Sequence, residues 1–170
     1  MVTTLTDILT KLSSLDVVNG DGTTVKLYTR VWNNQIRYEA DGKLYNFPKP
    51  ACFVEVVSPA TFEVLGEGYR SCDVNFRIHL SHDNYNNEGT FEQDLKIFAL
   101  KDEVILLLTA YRPTNCGPLN CISDQQDFTH ASVYHYIIDF VCNFTDDTAK
   151  KLYTLSVPPQ TLEIDKTINP

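Results

Sequence analysis

Strict alternation of apolar and polar residues marks the segment from Arg70 to Leu80. Its apolar residues recur at every second position, at Cys72, Val74, Phe76, Ile78 and Leu80. Because side chains along a strand point alternately to opposite faces, this pattern predicts a long β-strand with one buried face. A polar loop over residues 81–89 follows. The apolar segment from Thr90 to Tyr111 then predicts one long helix, stopped by Pro113.

Three other segments carry clear periodicity. Ala51–Val57 is an apolar run with a single charge, which is typical of a strand covered on both faces. Val133–Phe144 alternates again and predicts the last long strand. Near the N-terminus, helical spacing of apolar residues predicts a short amphipathic helix that buries Leu5, Ile8, Leu9 and Leu12.

Turn-forming residues divide the rest of the chain. β-rich runs within 24–47 are separated by Asn33-Asn34 and Asp41-Gly42, which predicts a β-hairpin extension. Residues 58–68 and 114–121 are expected to be loops or connectors, and 122–129 an exposed polar segment. Residues 148–170 lack periodicity and contain Pro158-Pro159, so they predict an extended C-terminal arm.

Long strands without repeated crossover helices favour the α+β class. We predict an antiparallel β-sheet with an N-terminal helix and one long helix packed on one face. The hairpin extension at 24–47 belongs to a single domain of residues 1–147, and the arm at 148–170 follows it.

Composition narrows the function classes. The chain of 170 residues has 22 acidic and 14 basic residues, a formal net charge of -8. General nucleic-acid binding is disfavoured because it normally needs a basic patch. No apolar run approaches the roughly 20 residues that span a bilayer. The first residues lack a signal-peptide layout, so we expect a soluble chain made inside the cell.

The cysteines and histidines are the first candidates for metal binding and for nucleophilic chemistry. Cys116, Cys121, His130 and His135 are residue types that bind zinc, but their spacing matches none of the short-pair signatures. Cys116 or Cys121 with His130 could form a nucleophilic pair, yet no protease motif surrounds them. We therefore predict no metal site and interpret the five cysteines as free thiols.

Carboxylate pairs offer a second kind of chemistry. A hydrolase site could draw on Glu55, Glu63 and Glu67, or on Asp124 and Asp127. In an acidic chain such residues more often lie on the solvated surface. The prediction is no catalytic residue, no cofactor-binding residue and no cofactor, and thus a protein that is not an enzyme.

Polar residues on the second face of the two long strands are a further signal. One strand carries Arg70, Asp73, Asn75, Arg77 and His79, and the other carries His135, Asp139 and Asn143. If these strands are neighbours, the polar residues line one face of the sheet, which meets water or another subunit. The alternative hypothesis uses this face in a small-molecule-binding or hydrolytic α+β domain. A weaker option is a cellular adaptor that binds a partner through the hairpins.

The order of elements resembles the tail terminator and head-tail connector proteins of tailed bacteriophages. The resemblance spans residues 1–145 and lies in pattern: an amphipathic helix, a hairpin region, the Pro-preceded strand Phe47-Pro48-Lys-Pro50-Ala-Cys-Phe-Val-Glu-Val56, and then the long strand, helix and final strand. Residues 23–47 are longer than the family's compact version, and the C-terminal arm is an elaboration.

The resemblance implies a structural virion protein without catalytic residues. Such a protein forms a homo-oligomeric ring, hexameric or larger and up to twelve-fold, in the neck or tail of the virion, after assembly in the host cytoplasm. Its other partners would be portal, adaptor or tail-tube proteins. DNA would pass through the ring only as cargo, without sequence-specific binding, and no membrane is involved. An acidic lumen would repel the passing phosphates.

Overall fold

The computed structural model describes residues 1–18, 22–36, 47–57, 61–83, 90–128 and 133–150. Its helices are α1 (Val2–Ser13), α2 (Phe91–Asp94) and α3 (Lys96–Leu108). Its strands are β1 (Asp16–Val18), β2 (Thr24–Lys26), β3 (Tyr28–Val31), β4 (Ala51–Val57), β5 (Glu63–Gly66), β6 (Tyr69–Asp83), β7 (Asn120–Asp127) and β8 (Val133–Asp146).

The main sheet has the strand order β3-β4-β6-β8-β7, and β5 pairs with the start of β6. Every pair in it is antiparallel except β3 with β4, which is parallel. The two longest strands, β6 and β8, are neighbours over the register from Arg70↔Asp146 to Asp83↔Val133. The predicted α+β class with a mostly antiparallel sheet is confirmed.

The main core lies between one face of the sheet and the helices. Most even-numbered residues of β6 and β8 are buried on this face, and Phe76 and Phe140 belong to one core cluster with Ile8 and Leu12 of α1 and Val104 of α3. The apolar spacing seen in the sequence is thus the spacing of the buried face. A hydrogen bond from the Thr4 hydroxyl to the Thr114 carbonyl, 2.9 Å long, also ties α1 to the segment after α3.

The long helix is confirmed in position, with shorter limits. Leu95 separates α2 from α3 but keeps helical backbone angles (φ -79°, ψ -12°). The helix ends at Leu108 because Thr109 is extended and Ala110 takes a positive φ of 63°. The predicted end at Tyr111 was three residues too late.

The prediction of one hairpin system over 24–47 is wrong for its described part. β2 pairs with β1, which precedes this segment in the chain. β3 pairs in parallel with β4, and Gln35 and Ile36 are helical instead of forming a return strand. Local turn signals could not distinguish a nearby antiparallel partner from a parallel one further along. Residues 37–46 lie outside the described part.

Two segments expected to be irregular contain strands. β5 forms a tight hairpin with β6 through Glu67 and Gly68, both at positive φ. The polar segment that was expected to be exposed is the edge strand β7, which pairs with β8. An edge strand exposes many of its side chains, so it lacks the apolar alternation that marked β6. Most of the predicted C-terminal arm, residues 151–170, lies outside the described residues.

Candidate functional site

The second face of the sheet is polar, as expected from the pairing of β6 with β8. Arg77 lies opposite Asp139, Asp73 opposite Asn143, and Ser81 opposite His135. Arg70 was wrongly assigned to this face. It lies opposite Asp146, an even number of residues from Cys72, and therefore belongs to the face that carries the helices.

Two imidazoles and two carboxylates form a continuous hydrogen-bonded chain across this face. Oε2 of Glu55 lies 3.1 Å from Nε2 of His79, and Nδ1 of His79 lies 3.0 Å from Nε2 of His135. Nδ1 of His135 lies 3.0 Å from Oδ2 of Asp127. The four residues come from β4, β6, β8 and β7 in that spatial order, so the chain crosses four adjacent strands. We call it the histidine chain.

A second group of hydrogen-bonded side chains lies beside the histidine chain, one row further along the sheet. Arg77 donates to both carboxylate oxygens of Asp139, over 2.8 and 3.2 Å. The Ser123 hydroxyl donates to the same carboxylate over 3.1 Å. Burial raises the pKa of Asp139, but the hydrogen bonds from Arg77 and Ser123 outweigh this effect and leave the pKa lowered.

A small apolar cluster lies beside the two imidazoles of the histidine chain. It consists of Ile36, Phe47, Ala51, Phe53 and Val133, with Tyr28 and Trp32 packed against it. The Trp32 ring stacks on the imidazole of His79, with 3.8 Å between ring centroids and 8° between planes. As a result His79 is only 5% and His135 only 3% exposed.

The environment of His79 disfavours its charged form. Burial lowers its pKa to about 4, and the neighbouring positive charge of Arg77 acts in the same direction. Asp139 and Asp127 act in the opposite direction, with smaller effect. His79 is therefore neutral at physiological pH.

Each of the four imidazole nitrogens in the histidine chain has a partner within the protein. A general base or a metal ligand needs a nitrogen lone pair directed at the substrate or the metal. The arrangement is suited to holding strands and protons in place. Only its carboxylate ends reach solvent, with Glu55 34% and Asp127 22% exposed at the side chain.

The structure brings together few of the residues weighed as catalytic or metal-binding. Cys121 lies opposite Phe140 and Asp127 opposite His135, at opposite ends of the same strand pair. Cys116 forms a bridge with Phe144, and His130 lies outside the described residues. Among the described residues, no group of three or more His, Cys, Asp or Glu side chains could hold a metal ion.

The candidate carboxylates are likewise dispersed. Glu63 and Glu67 belong to the β5–β6 hairpin, and Asp124 forms an ion pair with Lys101 at 3.1 Å. Glu55 and Asp127 do share a site, although the carboxylate pairs weighed earlier did not combine them. They lie at the two ends of the histidine chain, with both imidazoles between them.

Cys116 has an unusual environment for a thiol. The Cys142 thiol hydrogen-bonds to it, and this lowers the pKa of Cys116, while burial acts in the opposite direction. The pKa of Cys142 is raised by the same contact. Burial raises the pKa of Cys121. The five cysteines are free thiols, as expected.

Sequence reasoning missed Trp32 and Ser123 as members of the site. Trp32 follows a short strand whose parallel pairing with β4 had no local signal, and Ser123 lies in the unrecognised strand β7. The alternation of side chains along β4 could have identified Glu55 as a member of the site. It places Glu55 on the same face as Arg77 once the two strands are known to pair.

Within the described ranges, no helix combines the length and the apolar character needed to cross a bilayer. No protein-family model and no curated protein matches this chain.

Proposed function

We propose that this chain is a structural virion protein that forms a homo-oligomeric ring in the neck or tail of a tailed bacteriophage, through which DNA passes. The proposal starts from the resemblance in element order. The observation that carries it further is the presence of exposed apolar side chains at both edges of the sheet. In this proposal the protein acts through assembly and not through catalysis.

The two edge patches lie on opposite sides of the central strands. Val64 (81% exposed) and Leu65 lie on β5, on the side of β6 that β4 also occupies. Ile122 (57% exposed) lies on β7, beyond β8, and Phe128 follows it. A head-to-tail ring needs two different patches on each subunit, one for each neighbour. The distribution of these residues meets that requirement.

The outer surface of the long helix is a third apolar region. Phe91, Leu95, Phe98 and Leu106 are exposed and recur at helical spacing. Contiguous exposed apolar residues on a protein surface often mark a contact with another protein. This supports a further contact in the assembled particle, such as one with a portal, adaptor or tail-tube protein.

Residues 148–150, which precede the proposed arm segment, lie beside the β5–β6 hairpin. At the turn of this hairpin, a Cβ on Gly68 would collide with the carbonyl of Ala149. The Lys150 ammonium lies 5.1 Å from the centre of the Tyr69 ring. The following arm contains Leu152, Tyr153, Leu155, Val157, Leu162 and Ile164, which we propose are buried on a neighbouring subunit next to this edge.

Native mass across a range of concentrations tests the ring. The full-length chain should give a discrete ring-sized species, or grow toward one as its concentration rises. Leu65→Glu and Ile122→Glu should each prevent growth, because a charge buried at an apolar contact is strongly unfavourable. Val2→Glu is the matched control, since Val2 is exposed on α1 and belongs to neither edge patch, and this variant should assemble normally. A wild-type dimer that never grows would overturn the proposal.

A mixing experiment tests the head-to-tail arrangement itself. The Leu65→Glu variant keeps an intact β7 edge, and the Ile122→Glu variant keeps an intact β5 edge. Mixed together, they should form heterodimers through their two intact edges. Growth should stop there, because the two edges that remain free in each dimer are the mutated ones. Growth of the mixture into full rings would show that these edges do not form the contact.

Deletion of residues 152–170 tests the arm. The domain should keep its folding transition, because residues 8–144 already form a core between the sheet, α1 and α3. Assembly should weaken, since the neighbour loses the apolar contacts of the arm. An arm-less chain that assembles as well as the full chain would contradict the role of the arm.

The alternative remains a small-molecule-binding or hydrolytic domain that uses the polar face. The observation in its favour is the grouping of two imidazoles and two carboxylates at one place. Against it, every imidazole nitrogen in the group is already bound within the protein. A strictly dimeric chain whose thermal stability rises with a specific metabolite would favour this alternative over the ring.

A further inference from the structure

We propose that His79 and His135 form a proton-binding site that holds one proton more than two neutral imidazoles carry. This extra proton lies between the two rings, and the carboxylates of Glu55 and Asp127 hold the pair from both ends. The proposal concerns the histidine chain alone and does not depend on whether the protein forms a ring.

The number of hydrogen bonds requires the extra proton. The chain contains three contacts of 3.0–3.1 Å, and each needs one proton between its two heavy atoms. Ionised carboxylates only accept, so His79 donates from Nε2 to Glu55 and His135 donates from Nδ1 to Asp127. If both rings were neutral, Nδ1 of His79 and Nε2 of His135 would then direct two lone pairs at each other across 3.0 Å. A third proton converts this repulsion into a hydrogen bond.

The surroundings assign the extra proton to His135. His79 is kept neutral by its burial and by Arg77. An imidazolium at His135 can donate to both neighbours at once, from Nδ1 to Asp127 and from Nε2 to His79. Neutral His79 then accepts at Nδ1 and donates at Nε2 to Glu55, so each of the four ring nitrogens has a matching partner.

Charged groups act on the pair from β4, β6, β7 and β8. Glu55 comes from β4, Asp127 from β7 and Asp139 from β8, while β6 contributes Arg77. Arg30 of β3 lies opposite Phe53, with its guanidinium over the Tyr28 ring, 5.4 Å from the ring centre. Asp139 is paired with Arg77, so the carboxylates of Glu55 and Asp127 leave two negative charges at the chain ends, and the extra proton on the pair offsets one of them.

Trp32 adds a further preference for the charged pair. Its ring lies parallel to that of His79 and, with 6.2 Å between centroids, also overlies His135. The face of an indole attracts positive charge. Loss of the proton would weaken this stacking as well as the contact between the rings, so the packing of Trp32 reports on the protonation of the site.

The proposal predicts how stability depends on pH. Unfolded, the two histidines carry four ring protons below about pH 6.5 and two above it. Folded, the pair holds three throughout this range. The folded state therefore lacks one proton at lower pH and has one in excess at higher pH. The contribution of the pair is largest near pH ~6.5 and falls on both sides, by up to about tenfold in the folding equilibrium constant per pH unit.

A proton count on the unmodified protein is the direct test. Two-bond proton–nitrogen NMR spectra of the full chain with isotope-labelled histidine distinguish protonated from unprotonated ring nitrogens. The spectra are recorded at about pH 7.5, which is one unit above the ordinary imidazole pKa. Three protonated nitrogens among the four of His79 and His135 are expected. Two protonated nitrogens, one on each ring, would overturn the proposal without any variant.

Fluorescence of Trp32 provides the second test, since it is the only tryptophan in the chain. We expect a titration above neutral pH as the proton leaves. Asp127→Asn should move this titration to lower pH by about 1–3 units, because the carboxylate beside the cation is lost. Asp124→Asn is the matched control on the same strand, where the carboxylate pairs with Lys101, and should leave the midpoint unchanged. Equal midpoints in both variants would overturn the proposal.

Discussion

The guanidinium of Arg77 donates two hydrogen bonds to the carboxylate of Asp139, from Nε to Oδ1 at 2.8 Å and from Nη2 to Oδ2 at 3.2 Å. The two residues lie directly opposite each other on β6 and β8. Two parallel hydrogen bonds fix the relative position of the strands as well as balancing the charges. This pair sits one row from the histidine chain and supports the register on which that chain depends.

Arg77→Met should lower the free energy of unfolding by about 2 kcal/mol, because Asp139 would keep only Ser123 as a partner for a mostly buried carboxylate. Urea unfolding at neutral pH measures this change. The matched control is Asp16→Asn, which breaks the exposed ion pair with Lys26 and should cost no more than about 1 kcal/mol. Equal losses in the two variants would contradict the role given to Arg77.

The same Arg77 variant should also become more sensitive to acid. The lowered pKa of Asp139 makes its contribution to stability present above the ordinary carboxyl pKa of 3.8 and lost as pH falls below it. Without Arg77, burial remains as the main effect and raises this pKa, so the loss should begin at higher pH. Unfolding midpoints measured from neutral pH to about pH 3 would reveal the shift.

Leu108→Ala should destabilise the domain by about 2–5 kcal/mol, since Leu108 is fully buried under the sheet and its loss leaves a cavity. Leu106→Ala, two residues away on the same helix, is the control. Leu106 is 82% exposed, so this change should alter the stability of the isolated subunit by less than about 0.5 kcal/mol. Thermal unfolding of both variants under conditions where the chain is monomeric compares them. Similar losses would mean that the helix is oriented differently.

Asp146 should contribute to acid unfolding. Hydrogen bonds from the hydroxyl and backbone of Thr148, and then from Arg70, lower its pKa to about 2. Its contribution is present above pH ~4 and lost as pH falls toward 2. Asp146→Asn should remove this pH dependence, which amounts to no more than about 1 kcal/mol, because the partner Arg70 is half exposed and solvent screens the pair. An unchanged acid limb in the variant would contradict this prediction.

Cys116 should react with a disulfide reagent faster than Cys121, although both are partly exposed. The contact with Cys142 lowers the pKa of Cys116, while burial raises that of Cys121. A lower pKa makes the thiolate more abundant but less nucleophilic. Each unit of pKa difference should therefore raise the labelling rate by about threefold. Mass spectrometry after brief labelling identifies the modified thiol, and Cys116→Ser should remove the fast phase. First labelling at Cys121 would contradict the assignment.

Much of the fold could be predicted from local pattern. The alternation from Cys72 to Leu80 indicated β6 and its buried face, and the spacing of Leu5, Ile8 and Leu12 indicated α1. These patterns are reliable because each apolar residue must face the same core, whatever lies on the other side of it. Edge elements were predicted poorly, because β7 and β3 have few buried side chains to impose a period.

The sequence by itself determined the long strands, the long helix, the α+β class and the polar character of the second sheet face. Only the tertiary structure decided that Glu55, His79, His135 and Asp127, which are far apart along the chain, form one hydrogen-bonded row. The reason lies in strand order and register. Both are set by pairing between distant segments, and a shift of one residue would turn His79 or His135 to the opposite face without changing the local pattern of either strand.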